Sequence, residues 1–283
     1  MKAKLFSAII LAASIITSCS DNTDHFTDAG KMMQITLSTH TMSVEKDPMT
    51  RATLADESQS DLWVYDGTTL LTHQTSTDTD FGAPTLNLTY GTHNLRVIST
   101  RIANAAISTD GILTGNSPRQ TFANTLALDV TPSTSATQTI ELQRQTYQLT
   151  VMADDAWPAD YGKLEVTIDP DYTSFNTQTF TGIASTSTYT RSVTPPSTWA
   201  GKTGCNVAFH GFTPSTAEYT TTVTITLYKA DDQTVLQQHN VSDVPLQRNY
   251  KTTIHGALFA NEPQLSISLD NTLAGEKEVN INQ

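Results

Sequence analysis

The chain has 283 residues, of which 37% are hydrophobic and 16% are charged, and its formal net charge at pH 7 is −12. This acidic balance argues against nucleic acid as a partner and against a folded part that lies on anionic lipid, because binding to either would require basic patches on the protein surface. Frequent threonine, valine, isoleucine and tyrosine favour strands, since branched and aromatic side chains pack well on a pleated surface, and they predict an all-β fold.

The N-terminus has the pattern of an export signal. Lys2 and Lys4 precede the apolar run of residues 5–16, which is shorter than the roughly 20 residues that a membrane-spanning helix needs. Ser18 directly before Cys19 resembles the lipobox of bacterial lipoproteins. That resemblance implies removal of residues 1–18, a diacylglycerol on the sulfur of Cys19 and an acylated new N-terminus, which together give stable membrane anchoring.

The next residues are polar and acidic. Residues 20–24 read SDNTD and resemble the tag that sends some lipoproteins to the outer face of the outer membrane, with exposure to the periplasm as the alternative. Residues 19–31 are interpreted as a tether between the membrane and the folded body.

Period-2 alternation begins after the tether and recurs to the end of the chain, which predicts strands throughout. Met33, Ile35 and Leu37 form the first alternating set. Asp66-Gly67 between apolar runs predicts a hairpin. Residues 101–119 are less regular and are predicted to be a long loop that could hold a short helix.

Alternation resumes beyond Arg144, most clearly in the segment TTTVTITLY around Ile225. The strand spacing predicts β-sandwich domains at 32–145 and 146–283. Parallel pairing needs long crossovers that are usually helical, and no helical segment is evident, so antiparallel pairing is expected.

No pattern of residues predicts catalysis. The seven histidines lack metal-ligand spacing, and no nucleophile elbow or phosphate loop is present, so we expect no enzyme, no metal and no cofactor. The carboxylate groups at 154–155, 231–232 and 169–171 are interpreted as turns, although a two-carboxylate hydrolase stays open as a weaker reading. Cys205 lies in a strand-like stretch and is interpreted as a buried, inert thiol.

Three stretches, 50–53 (TRAT), 61–67 (DLWVYDG) and 244–256 (VPLQRNYKTTIHG), resemble the fimbrillin-type subunits of type V pili, including their lipoprotein anchor and accessory members. The resemblance implies two tandem transthyretin-like β-sandwich domains after the lipoprotein signal peptide. It also implies partners, namely other pilus subunits joined by donor-strand exchange, and attachment to the outer membrane through the lipid.

In polymerising members of that family a protease cuts after an arginine and removes the first strand, and Arg51 before Ala52 matches this position. The strand exchanged or retained would then carry Met33, Ile35 and Leu37. The alternative for Arg51 is an ordinary loop arginine.

The leading hypothesis from the sequence is a fimbrial or cell-adhesion surface lipoprotein. The tail at 271–283 is short for a donor strand, which favours an anchor, tip or accessory role over a shaft subunit. The alternative is a glycan-binding lipoprotein of a nutrient-uptake system, in which Trp157 and Trp199 would stack on sugar. The sequence identifies neither a host ligand nor a glycan.

Overall fold

The structure is a computed structural model that describes residues 30–42, 51–53, 58–231, 233–260, 265–270 and 277–279. These residues form 21 strands, and the only helical element among them is a 3₁₀ turn at Ser197–Trp199. The all-β prediction is therefore confirmed.

The strands of the first half of the chain are β1 (Met32–Met42), β2 (Arg51–Thr53), β3 (Asp61–Asp66), β4 (Thr69–Thr75), β5 (Thr85–Thr89), β6 (Gly91–Thr100), β7 (Ala106–Ile107), β8 (Ile112–Thr114), β9 (Thr121–Val130) and β10 (Thr137–Arg144). Those of the second half are β11 (Thr146–Ala153), β12 (Tyr161–Asp169), β13 (Tyr172–Asn176), β14 (Thr181–Ala184), β15 (Thr190–Val193), β16 (Cys205–Phe212), β17 (Tyr219–Lys229), β18 (Val235–Leu246), β19 (Lys251–Gly256), β20 (Leu265–Asp270) and β21 (Lys277–Val279). The predicted hairpin at Asp66-Gly67 is confirmed by the antiparallel pair β3–β4.

The strands form four sheets. The first half contains one of eight strands in the order β2-β1-β10-β9-β6-β3-β4, with β5 also paired to β1. The second half contains β16-β11-β19-β20-β21 and β15-β12-β17-β18, and strands from both halves make the fourth sheet, β14-β13-β8-β7.

Two pairs of strands run parallel, so the expectation of antiparallel pairing alone is wrong. β1 pairs in parallel with β10, and β11 pairs in parallel with β19. Parallel pairing requires a long connection but not a helical one. Here the connections are built from strands of the same half of the chain, β2 to β9 in the first case and β12 to β18 in the second.

Apolar side chains at alternating positions of the strands form two separate hydrophobic cores. Residues between Ile35 and Leu142 make one apolar cluster, and residues between Tyr147 and Ile267 make another. In the first half, β10 pairs with β9 only through Gln143 and Arg144. Strands on both sides of this short pairing contribute side chains to the same core. Each core thus removes the apolar face of its strands from water, which is the main stabilising term.

A third apolar cluster, called the junction cluster here, joins the two halves. It contains Trp63, Tyr65, Ile98, Ile102, Leu113, Ala123, Phe175 and Phe212. Strand β3 contributes to both the first core and the junction cluster. Leu62 and Val64 on one face pack in the first core. Trp63 and Tyr65 on the opposite face pack in the junction cluster. The rings of Phe175 and Phe212, both from the second half, stack at 4.8 Å.

The prediction of a long loop over residues 101–119 holds for most of the segment, but two short strands interrupt it and the suggested short helix does not form. Strands β7 and β8 form there, and β8 pairs with β13 of the second half through Leu113 and Phe175. Gly111 makes the turn between them with φ at +76°, a conformation that favours glycine. The segment becomes ordered because Leu113 is buried by the other half of the chain, a contact that local alternation cannot reveal.

The predicted boundary between residues 145 and 146 stays a prediction. Strand β10 ends at Arg144 and β11 begins at Thr146, so the two cores meet at this point of the chain. The shared sheet and the junction cluster nevertheless tie the halves together.

Candidate functional site

The first strand, β1, lies inside the large sheet and is paired along both edges. It pairs with β10 over residues 36–41, with β5 over residues 32–36 and with β2 over residues 40–42. Beyond the β1–β5 pairing, the amides of Leu37 and Thr39 donate to Pro84 O and Gly82 O at 2.9 Å each. The Thr39 hydroxyl also donates to Gly82 O at 2.6 Å. A strand held this way satisfies the backbone groups of two neighbours at once.

The inward face of β1 fills an apolar groove. Ile35 and Leu37 are each 0% exposed and pack in the first core, while Met33 is partly buried at its edge. Burial of such side chains contributes about 1.5–3 kcal/mol each. The outward face carries Gln34, which is exposed. The three residues proposed from the sequence for the exchanged or retained strand therefore share one face.

This geometry determines which interactions a strand in the position of β1 makes. If β1 left, the sheet would expose the edges of β10 and β5 together with an apolar floor. Such a groove accepts a strand from another chain, because main-chain hydrogen bonds supply affinity and alternate side chains supply specificity. We therefore take β1 and its groove as the candidate functional site.

The candidate cleavage bond lies in the neighbouring strand. Arg51 and Ala52 belong to β2, where they pair with Met42 and Thr41 of β1. β2 has three residues and is the edge strand of its sheet, so little pairing has to be broken to release it. Cys19, the predicted lipid site, lies outside the described residues.

Two of the carboxylates that were considered from the sequence, Asp155 and Asp231, accept hydrogen bonds from turns. Asp155 accepts hydrogen bonds from the amides of Leu258 and Phe259 at 3.0 and 2.8 Å. Asp231 accepts from the Thr234 hydroxyl and from the backbone of Thr234 and Gln233, which lowers the pKa of Asp231 to about 2. Within the described parts of the chain, no three histidine, cysteine or carboxylate side chains are grouped as metal ligands.

Trp157 packs inside the second half of the chain. It is 4% exposed and makes edge-to-face contacts with Tyr161, Trp199 and Phe259 at centroid distances of 4.5, 5.0 and 4.9 Å. A ring enclosed in this way offers no free face to a sugar. Beside it lies a groove of about 390 Å³ lined by Trp157, Pro158, Tyr161, Pro195 and Pro196, among others.

The sequence did not predict a buried ion pair that involves Asp171, because residues 169–171 were interpreted as a turn. Asp171 and Arg191 have side chains 1% and 5% exposed and meet at 2.7 Å, with a second contact at 3.2 Å. Tyr147 donates to the same carboxylate at 3.2 Å, and burial raises the pKa of Tyr147 far enough to keep the phenol protonated. Burial lowers the pKa of Arg191, but the facing Asp171 carboxylate favours the charged guanidinium, and the pKa is raised overall. No sequence signal connects these residues, because they come from different strands and loops.

Cys205 is a free, buried cysteine on β16. The described residues contain no helix that is both long enough and apolar enough to span a membrane.

The chain matches one family model and several solved structures. The model of a family of unknown function, DUF6562, matches residues 72–282. No match is found among curated proteins.

Three solved structures are similar to this chain, and the two with TM-scores of 0.50 or above share its fold. A candidate adhesin from Bacteroides thetaiotaomicron is 12% identical with a TM-score of 0.51, covering 86% of this chain and 97% of that one. A candidate cell adhesion protein from Bacteroides ovatus is 9% identical with a TM-score of 0.50, covering 89% of this chain and 100% of that one. The fimbrial anchor protein Mfa2 from Porphyromonas gingivalis is 9% identical with a TM-score of 0.44, covering 86% and 99%.

Proposed function

The chain belongs to DUF6562, a family of unknown function, and we propose that it is a surface lipoprotein of a fimbrial or cell-adhesion system. It would act as an anchor, tip or accessory subunit through strand exchange and surface contact. In this proposal the chain is not an enzyme, and it needs neither a metal nor a cofactor.

The observation that carries the proposal is the placement of β1. Its apolar face fills a groove whose two edges are paired to it by backbone hydrogen bonds, which is the arrangement needed for a strand to be kept or replaced. The fold shared with a candidate adhesin and a candidate cell adhesion protein supports an adhesive role.

The position of the last strand supports an anchor, tip or accessory role. β21 pairs with β20 inside the same chain, and it has three residues. Because it is short and already paired, it makes a poor donor strand for another subunit. Anchoring would come from a lipid on Cys19, which would place the chain at the outer membrane and its body at the cell surface.

The state of the N-terminus on cells tests the proposal. We expect surface material to begin either at acylated Cys19, if β1 is retained, or at Ala52, if β1 is removed. Where Ala52 is found, the variant Arg51→Ala should abolish that cleavage, because the protease would lose the basic side chain before the scissile bond. Mass spectrometry of the N-terminal peptide distinguishes the two states.

The matched control is Lys229→Ala, which removes an exposed basic residue from β17 and should leave processing unchanged. A surface protein that carries neither a lipid at Cys19 nor a new terminus at Ala52 would contradict the proposal.

A second candidate function is glycan binding, which the groove beside Trp157 favours. Tyr161 is partly exposed there and can present a ring face, which buried Trp157 cannot. If this function holds, Tyr161→Ala should weaken polysaccharide binding on a glycan array at least tenfold. Tyr189→Ala, which alters a partly buried tyrosine outside the groove, should not. Equal binding by both variants would remove the groove from consideration.

A further inference from the structure

His93 links the ends of two strands beside the β1 groove. It is the third residue of β6, just after the short connection from β5, and 9% of its side chain is exposed. Its Nδ1 lies 2.6 Å from Oδ2 of Asp66, the last residue of β3. Its Nε2 lies 2.8 Å from the carbonyl oxygen of Thr89, the last residue of β5. The ring therefore bridges the end of β3 to the end of β5.

Both partners of the ring are hydrogen-bond acceptors. A carbonyl oxygen can only accept, and so can the ionised carboxylate of Asp66, whose other oxygen accepts from the amide of Asn94 at 3.0 Å. A neutral imidazole has one N–H and can donate to one of the two partners, whereas the protonated ring has two and can donate to both. The geometry at His93 thus fits an imidazolium, and loss of its proton breaks one of the two hydrogen bonds.

The surroundings of the ring favour its positive charge. Burial opposes that charge, but the hydrogen bonds to Asp66 and Thr89 and the negative charge of Asp66 outweigh burial, and the pKa of His93 is raised above 6.5. From β9, the residue paired with His93 is Leu128, and the acid of that strand, Asp129, is exposed one position further on. The charge that acts on the ring is therefore that of Asp66.

Strand β5 depends on this contact, because β1 is its one strand partner among the described residues. The amide of Tyr90 donates to the carbonyl oxygen of Lys31 at 2.9 Å, so the backbone groups of Tyr90 face the β1 side. Successive residues of an antiparallel strand direct their backbone groups to opposite edges. The carbonyl of Thr89 is thus on the edge away from β1, where His93 donates to it. β5 is held by β1 on one edge and by His93 on the other.

We propose that His93 is a pH-sensitive clamp on β5, the strand that forms one wall of the β1 groove. The protonated ring ties Thr89 to Asp66 and fixes the end of β5. When the ring gives its proton to solvent, it keeps one of the two hydrogen bonds, and the wall of the groove loosens. The inference deepens the proposed function, on which its consequence for strand exchange rests, because a loosened β5 would let β1 leave more easily.

The direction of the pH effect follows from the raised pKa of His93. The stabilisation is complete below pH 6.5, the ordinary pKa of the ring, and it is lost as the pH rises through the raised value. The amide of Tyr90 reports the loss, because its hydrogen bond joins the end of β5 to the start of β1. Its protection from hydrogen exchange, corrected for the intrinsic rate, should fall about tenfold for each unit by which the pKa of His93 exceeds 6.5.

The test is NMR spectroscopy of the chain from residue 20 onward over the range in which histidines titrate, about pH 5 to 9. The Cε1–H signal of His93 gives its pKa, and the Tyr90 amide gives the protection. In His93→Gln, the protection of Tyr90 should no longer change with pH, because a side-chain amide does not titrate. Asp66→Asn should lower the pKa of His93, since it removes the facing negative charge, and should move the loss of protection to lower pH.

The matched control is His73→Gln, which alters another histidine–aspartate pair. His73 lies 2.9 Å from Asp61, but 38% of its side chain is exposed, and its replacement should leave the pH dependence at Tyr90 unchanged. Asp66 is 29% exposed, so Asp66→Asn supplies the measurement if the buried replacement His93→Gln does not fold.

A pKa of His93 at or below 6.5 overturns the proposal, and so does protection of Tyr90 that stays constant across the range. A pH dependence that His93→Gln leaves intact, or that Asp66→Asn and His73→Gln change equally, overturns it as well. Every sample retains β1, so failure of the clamp would leave the N-terminal test of the proposed function unaffected. Failure of that N-terminal test would likewise leave the local pH response of His93 in place.

Discussion

Removing residues 19–42 from the mature chain, and with them β1, is expected to leave a first half that folds only when the missing strand is supplied. Ile35 and Leu37 are fully buried, and replacing each with alanine alone would cost about 2–5 kcal/mol. Losing both, together with the backbone pairing to β10 and β5, rivals the whole stability of a domain, which is about 5–15 kcal/mol. The truncated chain should melt well below the full chain or expose its core.

A synthetic peptide with the sequence of residues 31–42 should restore the melting temperature of the truncated chain in a concentration-dependent manner, because it binds only the folded state. A peptide carrying Leu37→Asp should fail, since a carboxylate would enter the apolar groove. A peptide carrying Gln34→Asp is the matched control, because Gln34 is exposed and its replacement should retain rescue. A truncated chain as stable as the full one would show that β1 does not fill an essential groove.

Replacing one partner of the buried pair Asp171–Arg191 is the second large effect. Arg191→Met should destabilise the protein by about 3–5 kcal/mol, because it leaves a carboxylate buried without its cation. For a unit of this size the melting temperature should fall by about 6 to 20 °C. Urea denaturation at pH 7 measures the loss directly.

The double variant Asp171→Leu/Arg191→Met should be less destabilised than the sum of the two single variants, since it removes both charges together. Lys163→Met is the matched control. Its ion pair with Glu165, at 3.0 Å, is partly exposed and is worth about 0–1 kcal/mol. A loss below about 1 kcal/mol for Arg191→Met would mean that the buried pair contributes little net stability.

The location of strands could be predicted from the sequence with good accuracy. In β17 the alternating residues Val223, Ile225 and Leu227 are all fully buried, as their spacing indicates. The apolar face of β1 was found in the same way. Alternation works because successive side chains of a strand point to opposite faces, which is a property of the local backbone.

The choice of strand partners could not be predicted. Nothing in the sequence of β1 shows that it pairs in parallel with β10, or that β8 pairs with β13 from the other half. Pairing depends on which edges meet after the chain has folded, and it can join residues a hundred positions apart. The two short strands within residues 101–119 were not predicted for this reason.

The sequence by itself determined the all-β class, the alternating faces and the strand that carries Ile35 and Leu37, because each of these follows from neighbouring residues along one backbone. Only the tertiary structure decided that this strand lies between two edges, that Trp157 is enclosed by aromatic rings and that Asp171 meets Arg191. Charge pairing and burial depend on distances through space, and those are set when separate segments pack together.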